Sequence, residues 1–176
     1  MITMFDERLN IFKFIDSPYV ITLIGPPNCG KSTFINYLKS FCIRKRLDHF
    51  NVISRDNILL ETADTKDYNE AWESVDHNLV NEKLKEKFDK LSNGFDNAII
   101  DMTNMTSKGR INNNNKFKNH YKIAIVFEYN KEDIFKRNEE RKEKEKKFIP
   151  TNVINSMIEN YNEPTLSEGY NLIIKI

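Results

Sequence analysis

Residues 25 to 32 read Gly-Pro-Pro-Asn-Cys-Gly-Lys-Ser and have the spacing G-x-x-x-x-G-K-S. A glycine-rich loop of this kind can curl until its backbone N–H groups converge on phosphate oxygens. Lys31 would then reach the β- and γ-phosphates of a nucleoside triphosphate, and the hydroxyl of Ser32 would bind Mg²⁺. The spacing predicts a triphosphate site, to which a chance glycine-rich turn is the alternative.

A carboxylate follows the apolar segment at residues 50–53. Asp56 comes directly after Ser54 and Arg55. At the end of a strand, this carboxylate could face the γ-phosphate, accept the proton of an attacking hydroxyl and orient that hydroxyl for in-line transfer. The alternative is that Asp56 caps the helix that follows.

A second carboxylate, Asp101, follows the apolar residues 98–100. Many proteins with such a loop place a carboxylate there, where it holds Mg²⁺ directly or through water. Thr103 and Asn104 add hydrogen-bonding groups at the same edge. Helix capping is again the alternative for Asp101.

Residues 136–147 are almost all charged. A solvent-exposed helix with opposite charges three or four residues apart is the usual explanation of such a run. The functional alternative is a lid from which one arginine closes over the phosphates. An arginine in that position can contribute about 10³–10⁵ in rate.

Apolar runs alternate with helix-prone segments along the chain. The predicted strands are residues 19–24, 50–53, 98–100, 121–127 and 170–176, and the predicted helices are residues 31–42, 69–91, 107–119, 133–147 and 151–160. This alternation predicts an α/β fold with a central parallel β-sheet flanked by helices. Ligands of such sheets bind beyond the carboxyl ends of the strands, where the loop and both carboxylates fall. A left-handed residue near Gly94 is expected to end the helix at residues 69–91.

The composition fits one ordinary domain of 176 residues, 39% of them hydrophobic. Its 27 basic and 26 acidic residues balance, so net charge does not indicate a nucleic-acid binder and any polyanion site must be a local patch.

Cys29 and Cys42 are expected to stay reduced, because a bridge would distort the loop, and this favours a cytosolic or nuclear setting. No signal segment or bilayer-length apolar run is seen, so we expect a soluble intracellular protein.

Four blocks of the sequence carry a resemblance to a known family. They are the loop at residues 25–32, Ser-Arg-Asp at 54–56, Ile-Asp-Met-Thr-Asn at 100–104, and Ile-Pro at 149–150 followed by Glu-Pro-Thr-Leu-Ser-Glu-Gly-Tyr at 163–170. These resemble Gly-x-Pro-Gly-x-Gly-Lys-Ser, Asn-Arg-Asp, Ile-Asp-Asn-Thr-Asn and the Ile-Pro and Pro-Thr-Leu-x-Glu-Gly-Phe segments of the polynucleotide 5′-kinase family. The resemblance covers residues 19–176 and leaves residues 1–18 as an N-terminal extension.

This resemblance implies a P-loop NTPase-type kinase with a helical lid, using ATP and Mg²⁺. It would transfer the γ-phosphate to the 5′-hydroxyl end of DNA or RNA, as in nucleic-acid end repair. By position, Asp56 becomes the general base and Arg141 the lid arginine. Lys31 and Arg141 would neutralise the charge that develops on the phosphoryl group. Ser32 and Asp101 would bind Mg²⁺. The implied nucleotide contacts are Gly25, Pro26, Pro27, Asn28, Cys29, Gly30, Lys31, Ser32, Thr33, Arg137 and Arg141. The implied substrate contacts are Arg55, Asp56, Asp101, Thr103 and Asn104.

The sequence departs from the family at three places. Asn28 replaces a glycine of the loop, so its backbone must adopt a left-handed conformation or the loop must differ. Leu59 stands where the bacteriophage enzyme has an arginine that holds the substrate phosphate, and Met102 stands where bacteriophage-type motifs have aspartate. The mammalian pattern therefore fits better. The Asp-x-Asp-x-Thr motif of the associated phosphatase is not found, so we expect a stand-alone kinase.

Two other functions stay open. The chain could phosphorylate the hydroxyl of a small molecule such as a nucleoside, or it could bind ATP without catalysis.

If nucleic acid is the acceptor, Trp72 or Tyr68 could stack on a terminal base, although core packing is the expected role of Trp72. Contacts to backbone phosphates are expected from a set of basic residues: Arg44, Lys45, Arg55, Lys108, Arg110 and Lys116.

Overall fold

The computed structural model describes residue 15, residues 18–145 and residues 147–176. Nearly all of the expected N-terminal extension, residues 1–18, lies outside the described residues. None of the described helices has the length and apolar content needed to cross a bilayer.

In the described part of the chain, five strands form one parallel sheet. They are β1 (Tyr19–Ile24), β2 (Phe50–Ser54), β3 (Asn97–Asp101), β4 (Tyr121–Val126) and β5 (Leu172–Lys175). The order across the sheet is β2-β3-β1-β4-β5. Val20 of β1 lies opposite Ala98 of β3 and Lys122 of β4, so β1 is the central strand. The predicted fold class is confirmed.

Helices connect the strands and cover the sheet. They are α1 (Lys31–Lys45), α2 (Arg55–Ala63), α3 (Tyr68–Ser74), α4 (His77–Asn93), α5 (Ser107–Asn114), α6 (Lys131–Glu145) and α7 (Thr151–Glu159), with a short 3₁₀ turn at Leu166–Glu168. Parallel strands need such crossovers, because a tight turn cannot return the chain to the same end of the sheet.

The core lies on both faces of β1, whose residues are all buried. Because side chains of a strand alternate between faces, Ile21 and Leu23 pack with Leu38 of α1 on one face. Val20 packs with Phe88 of α4 on the other. A strand covered on both faces must be apolar along its whole length, as the sequence of β1 is. This buried strand fixes the position of the loop that follows it.

The helix predicted over residues 69–91 is wrong, because two helices occupy this region. Asp76 interrupts them: its backbone is extended, and its side chain accepts the N–H of Asn78 at 2.8 Å. This carboxylate caps a new helix where the hydrophobic spacing had predicted continuity. The left-handed ending predicted near Gly94 is also wrong, since Gly94 has φ −90° and ψ −170°, an extended conformation.

Helix α5 is shorter than the predicted helix at residues 107–119. Asn114 at its end is buried, and its amide donates to the carbonyl of Glu168 at 3.0 Å. Residues 112–114 of the asparagine run lie within α5, and the bond of Asn114 ties the last turn of the helix to the segment at Glu168.

Arg110, predicted to contact nucleic-acid phosphates, is fully buried. Its guanidinium donates two hydrogen bonds to the carboxylate of Glu168, at 2.6 Å from Nε and 2.7 Å from Nη2. It also donates from Nη1 to the carbonyls of Asn104 and Met105. The prediction was wrong because charge alone does not distinguish a surface arginine from one paired in the core.

Candidate active site

The loop at residues 25–32 lies between the buried end of β1 and the start of α1. Asn28 has φ 65° and Gly30 has φ 105°, so both adopt the left-handed region. Asparagine and glycine are the residues that enter this region at least cost, so the left-handed conformation predicted as one alternative for Asn28 is the one observed. Gly25 is needed for a different reason: a Cβ there would lie 2.6 Å from the Sγ of Cys29 and 3.1 Å from the Cβ of Phe127.

Lys31, the first residue of α1, is folded back along the loop. Its Nζ donates to the carbonyls of Gly25 at 2.9 Å and Pro26 at 2.7 Å. Burial lowers the pKa of Lys31, and the neighbouring Cys29, Asp101 and Asp56 oppose that shift. The carbonyls of Gly25 and Pro26 thus hold the ammonium of Lys31 within the loop, and phosphate oxygens could replace them as acceptors.

Cys29 is buried within the loop. Its Sγ lies 3.7 Å from the Nζ of Lys31, and burial raises the pKa of the thiol. Cys29 and Cys42 are both free thiols, so the prediction that they do not pair is confirmed.

Asp56 lies in the first turn of α2, and it does not cap this helix. The side chain of Ser54 is the cap and accepts the N–H of Asn57 at 3.4 Å. Oδ1 of Asp56 accepts a hydrogen bond from the hydroxyl of Tyr68 at 3.1 Å, and Oδ2 accepts one from Lys147. The side chain of Asp56 remains 47% exposed, so its carboxylate is open to the cleft in front of the loop.

Asp101 ends β3 and lies opposite Ser54 of β2 in the sheet. Burial raises the pKa of Asp101, the charge of Lys31 lowers it, and Asp56 raises it further. The sheet thus brings two carboxylates and the loop lysine to one edge, as expected for the carboxyl ends of parallel strands.

Thr103 and Asn104, the second and third residues after Asp101, hold the loop in place. The carbonyl of Thr103 accepts the N–H of Gly25 at 3.0 Å. The side-chain amide of Asn104 donates to the carbonyls of Leu23 at 2.8 Å and Met102 at 3.2 Å. The amide of Asn104 therefore bonds to backbone groups behind the cleft.

The lid consists of α6 and residues 147–150, and it contacts the loop through Asn28. The Oδ1 of Asn28 accepts from Arg141 at 2.7 Å, and its carbonyl accepts from Arg137 at 3.0 Å. Its amide donates to Asn138 at 3.3 Å, and Asn138 in turn donates to the carbonyl of Ile149 at 2.8 Å. The side chain that replaces glycine thus joins the loop to the lid.

Sequence reasoning missed the role of Lys147. Besides contacting Asp56, its Nζ lies 3.9 Å from the ring centroid of Tyr68. The side chain is only 13% exposed although it stands in a run of charges. A run of charged residues gives no signal for which member turns inward. Its closeness to the predicted Ile-Pro segment was the only available signal.

Trp72 is 46% exposed, so the expectation that it packs in the core is wrong. It lies on α3 beside Tyr68, His77 and Arg55. Helical spacing had placed it on the buried face of one long helix, and the break at Asp76 removed that face.

One cleft of about 1580 Å³ collects most of the predicted site residues. Those that line it are Pro27, Asn28, Cys29, Gly30, Lys31, Ser32, Thr33, Arg55, Asp56, Asp101, Thr103, Arg137 and Arg141. Gly25, Pro26 and Asn104 are not among the lining residues, and they support the loop through the contacts described above. The arrangement offers a cationic loop for phosphates, oxygen donors for a hard cation and an accessible carboxylate for a hydroxyl.

A sequence profile of the AAA domain family matches residues 20–164. The chain belongs to this family. The chain has a P-loop NTPase-like fold, in which residues 25–32 carry the G-x-x-x-x-G-K-S spacing of a P-loop. The chain matches none of the curated proteins with which it was compared.

Solved structures with the same fold act in different settings. Kti12 from Chaetomium thermophilum, solved with ADP-AlF3, has a TM-score of 0.65 and 15% identity over 89% of this AAA domain chain and 88% of its own. A chain of the Pnkp1/Rnl/Hen1 RNA repair complex has a TM-score of 0.63 and 23% identity over 82% of this chain and 44% of its own. A gluconokinase from Sinorhizobium meliloti 1021 has a TM-score of 0.51 and 12% identity over 90% of this chain and 82% of its own. At these identities the likeness concerns the fold alone.

Proposed function

We propose that this AAA domain is an ATP-dependent polynucleotide 5′-hydroxyl kinase. The observation that carries the proposal is the carboxylate of Asp56, which faces the cleft of the P-loop, is half exposed, and is held by Tyr68 and Lys147. A water-accessible carboxylate beside a phosphate-binding loop is what a kinase needs to activate an acceptor hydroxyl.

In this proposal Asp56 takes the proton of the acceptor hydroxyl. The acceptor oxygen forms a bond to the γ-phosphorus of ATP, the bond from that phosphorus to the β,γ-bridging oxygen breaks, and ADP leaves. Tyr68 and Lys147 orient the carboxylate through one contact to each oxygen. Holding the carboxylate of Asp56 in this way lowers the entropy cost of reaching the transition state.

The phosphates lie along the P-loop, where Lys31 exchanges its bonds to the carbonyls of Gly25 and Pro26 for phosphate oxygens. Backbone N–H groups at the start of α1 favour the same anion. Ser32 and Asp101 fit Mg²⁺, since it is commonly bound through one or two carboxylates together with phosphates. A magnesium ion held by these two residues would supply positive charge that offsets the charge of the phosphates.

Arg141 acts from the lid as a second cation on the γ-phosphate, and Arg137 supports it. One nitrogen of Arg141 already contacts Asn28. The contact to Asn28 holds the guanidinium beside the P-loop, and its planar fork of N–H donors has the geometry that suits phosphate oxygens. Stabilising charge at the transferring group is the largest electrostatic contribution available to such an enzyme.

The choice of nucleic-acid 5′ ends, in DNA or RNA repair, rests on the sequence resemblance, with the RNA repair complex among the structures of the same fold. A small-molecule hydroxyl is the second candidate, which the fold shared with a gluconokinase supports. A nucleotide-binding module without catalysis is the third. We place the protein inside the cell, in cytoplasm or nucleus, where ATP and such ends occur together.

Labelled ATP separates the first two candidates. The protein is incubated with ATP and either a 5′-hydroxyl oligonucleotide or a mixture of nucleosides and sugar acids. We expect label on the oligonucleotide, and none on the same oligonucleotide with a 5′-phosphate. Label that appears only on the small molecules would contradict the polynucleotide assignment.

A further inference from the structure

The aromatic platform is formed by Tyr68, Trp72, His77 and Arg55, and phosphoryl transfer does not explain why Trp72 is exposed at the cleft. The Trp72 ring lies 6.2 Å from Tyr68 at an interplanar angle of 26°, and 4.7 Å from His77. The guanidinium of Arg55 lies 5.2 Å from the ring centroid of Trp72, and its Nη2 lies 3.4 Å from the Nδ1 of His77. These groups hold the indole in one orientation while 46% of Trp72 stays exposed.

The platform adjoins the carboxylate of Asp56. Tyr68 and Trp72 stand four residues apart on α3, so they share one face of the helix. The hydroxyl of Tyr68 bonds to Asp56 at 3.1 Å, and Arg55 precedes Asp56 in the chain. Tyr68, Trp72, Arg55 and Asp56 all line the same cleft. A hydroxyl that reaches Asp56 therefore carries the rest of its molecule past an aromatic surface.

The lid bounds the other side of this approach. Lys147 contacts Asp56, and its Nζ lies 3.9 Å from the ring of Tyr68. An acceptor thus enters between aromatic rings and cations. This is the combination by which proteins bind single-stranded nucleic acid, since bases stack on the rings and phosphates meet the cations.

We propose that Trp72, with Tyr68, stacks on the base of an unpaired 5′-terminal nucleotide, so that the preferred acceptor is a single-stranded or overhanging 5′ end. The inference rests on the proposed kinase function and names its substrate class. A base pair at a blunt end is already stacked on the next pair and would have to open before its base could enter. Stacking tolerates every base, so the platform selects strand state and not sequence.

Trp72 is the only tryptophan of the protein, so its fluorescence reports on the platform directly. We expect saturable quenching with a single-stranded 5′-hydroxyl oligonucleotide and with a duplex that has a 5′ overhang. Much weaker quenching is expected with a blunt duplex, and with a single strand whose 5′-terminal residue is abasic. Equal quenching by the blunt duplex or the abasic strand would overturn the proposal.

Steady-state kinetics test the same residue. Trp72→Leu should raise the KM for the single strand about 5- to 150-fold, the value of one stacked base, and leave the KM for ATP unchanged. Trp72→Phe keeps an aromatic face and should stay within a few-fold of the original protein. Phe95→Leu is the matched control, because Phe95 is 84% exposed and lies outside the residues lining the cleft.

The outcomes distinguish this inference from the function on which it rests. If oligonucleotides are phosphorylated and Trp72→Leu leaves their KM unchanged, the platform is overturned and the kinase function stands. If the single strand quenches Trp72 but no oligonucleotide is phosphorylated, the kinase function is contradicted while binding at the platform stands.

Discussion

At the scale of single residues, the site depends on the contacts that hold Asp56. Among the described residues, Oδ1 accepts from the hydroxyl of Tyr68 and Oδ2 accepts from the ammonium of Lys147. Tyr68 has three separate contacts, since its ring also meets Lys147 and Trp72. A substitution that removes only the hydroxyl therefore tests the orientation of Asp56 alone.

Tyr68→Phe should lower kcat for oligonucleotide phosphorylation about 2- to 12-fold, the value of one hydrogen bond of roughly 0.5–1.5 kcal/mol. The KM values for ATP and oligonucleotide should hardly change, because the ring stays in place. Rapid-quench measurement of the first turnover would separate this step from product release. Tyr129→Phe serves as a control outside the cleft lining. A Tyr68→Phe enzyme with the full rate would show that the hydrogen bond from Tyr68 does not orient the carboxylate of Asp56.

At the scale of secondary-structure elements, the predictions succeeded where one periodicity extends without interruption. Strand β1 has the predicted bounds because both its faces are buried. The region of α3 and α4 was mispredicted because hydrophobic spacing continues across a point where one side chain, Asp76, caps a new helix. Residues next to each other in sequence around the P-loop, such as Lys31 and Ser32, could be assigned to one site from the motif. The contacts of Lys147 with Asp56 and of Arg110 with Glu168 could not, since they join residues 91 and 58 positions apart.

Removal of the cap at Asp76 should destabilise α4. Asp76→Ala is expected to lower the free energy of unfolding by about 1 kcal/mol, because an N–H at the start of the helix loses its acceptor. Urea unfolding followed by circular dichroism measures this change. Asp76→Asn retains an acceptor oxygen and should cost much less. Equal losses for Ala and Asn would mean that Asp76 stabilises the protein through its charge and not as a cap.

At the scale of the whole molecule, the buried pair of Arg110 and Glu168 joins α5 to the segment that leads into β5. The side chains of both residues are at most 4% exposed. Arg110 also donates to the carbonyls that follow Thr103, and Thr103 in turn holds the P-loop at Gly25. The segment at residues 166–168 thus supports the P-loop through Arg110.

Glu168→Gln should lower the free energy of unfolding by about 3–5 kcal/mol at neutral pH, because it leaves the Arg110 charge buried without its partner. Burial alone would raise the pKa of Glu168, but the hydrogen bonds and charge of Arg110 outweigh this and lower it. A lowered pKa adds stability above the unfolded-state pKa of about 4.3, and that stability is lost as pH falls toward the folded-state pKa. Urea unfolding between neutral and acidic pH should show this loss in the original protein and a smaller one in Glu168→Gln.

The exposed pair of Glu163 and Lys175 provides the matched control. Glu163→Gln removes a carboxylate of the same type from a solvent-exposed ion pair and should leave the unfolding midpoint nearly unchanged. A comparable loss in both variants would contradict the structural role of Glu168.

The central claim, that Asp56 activates a 5′-hydroxyl for attack on ATP, is tested most directly by Asp56→Asn. Transfer of label from ATP to a single-stranded 5′-hydroxyl oligonucleotide is measured in a single turnover, with the Kd of ATP measured in parallel. We predict a rate about 10²- to 10⁴-fold lower and an unchanged Kd, because the proton acceptor is lost while the P-loop is intact. Transfer at the rate of the original protein in Asp56→Asn would contradict the account.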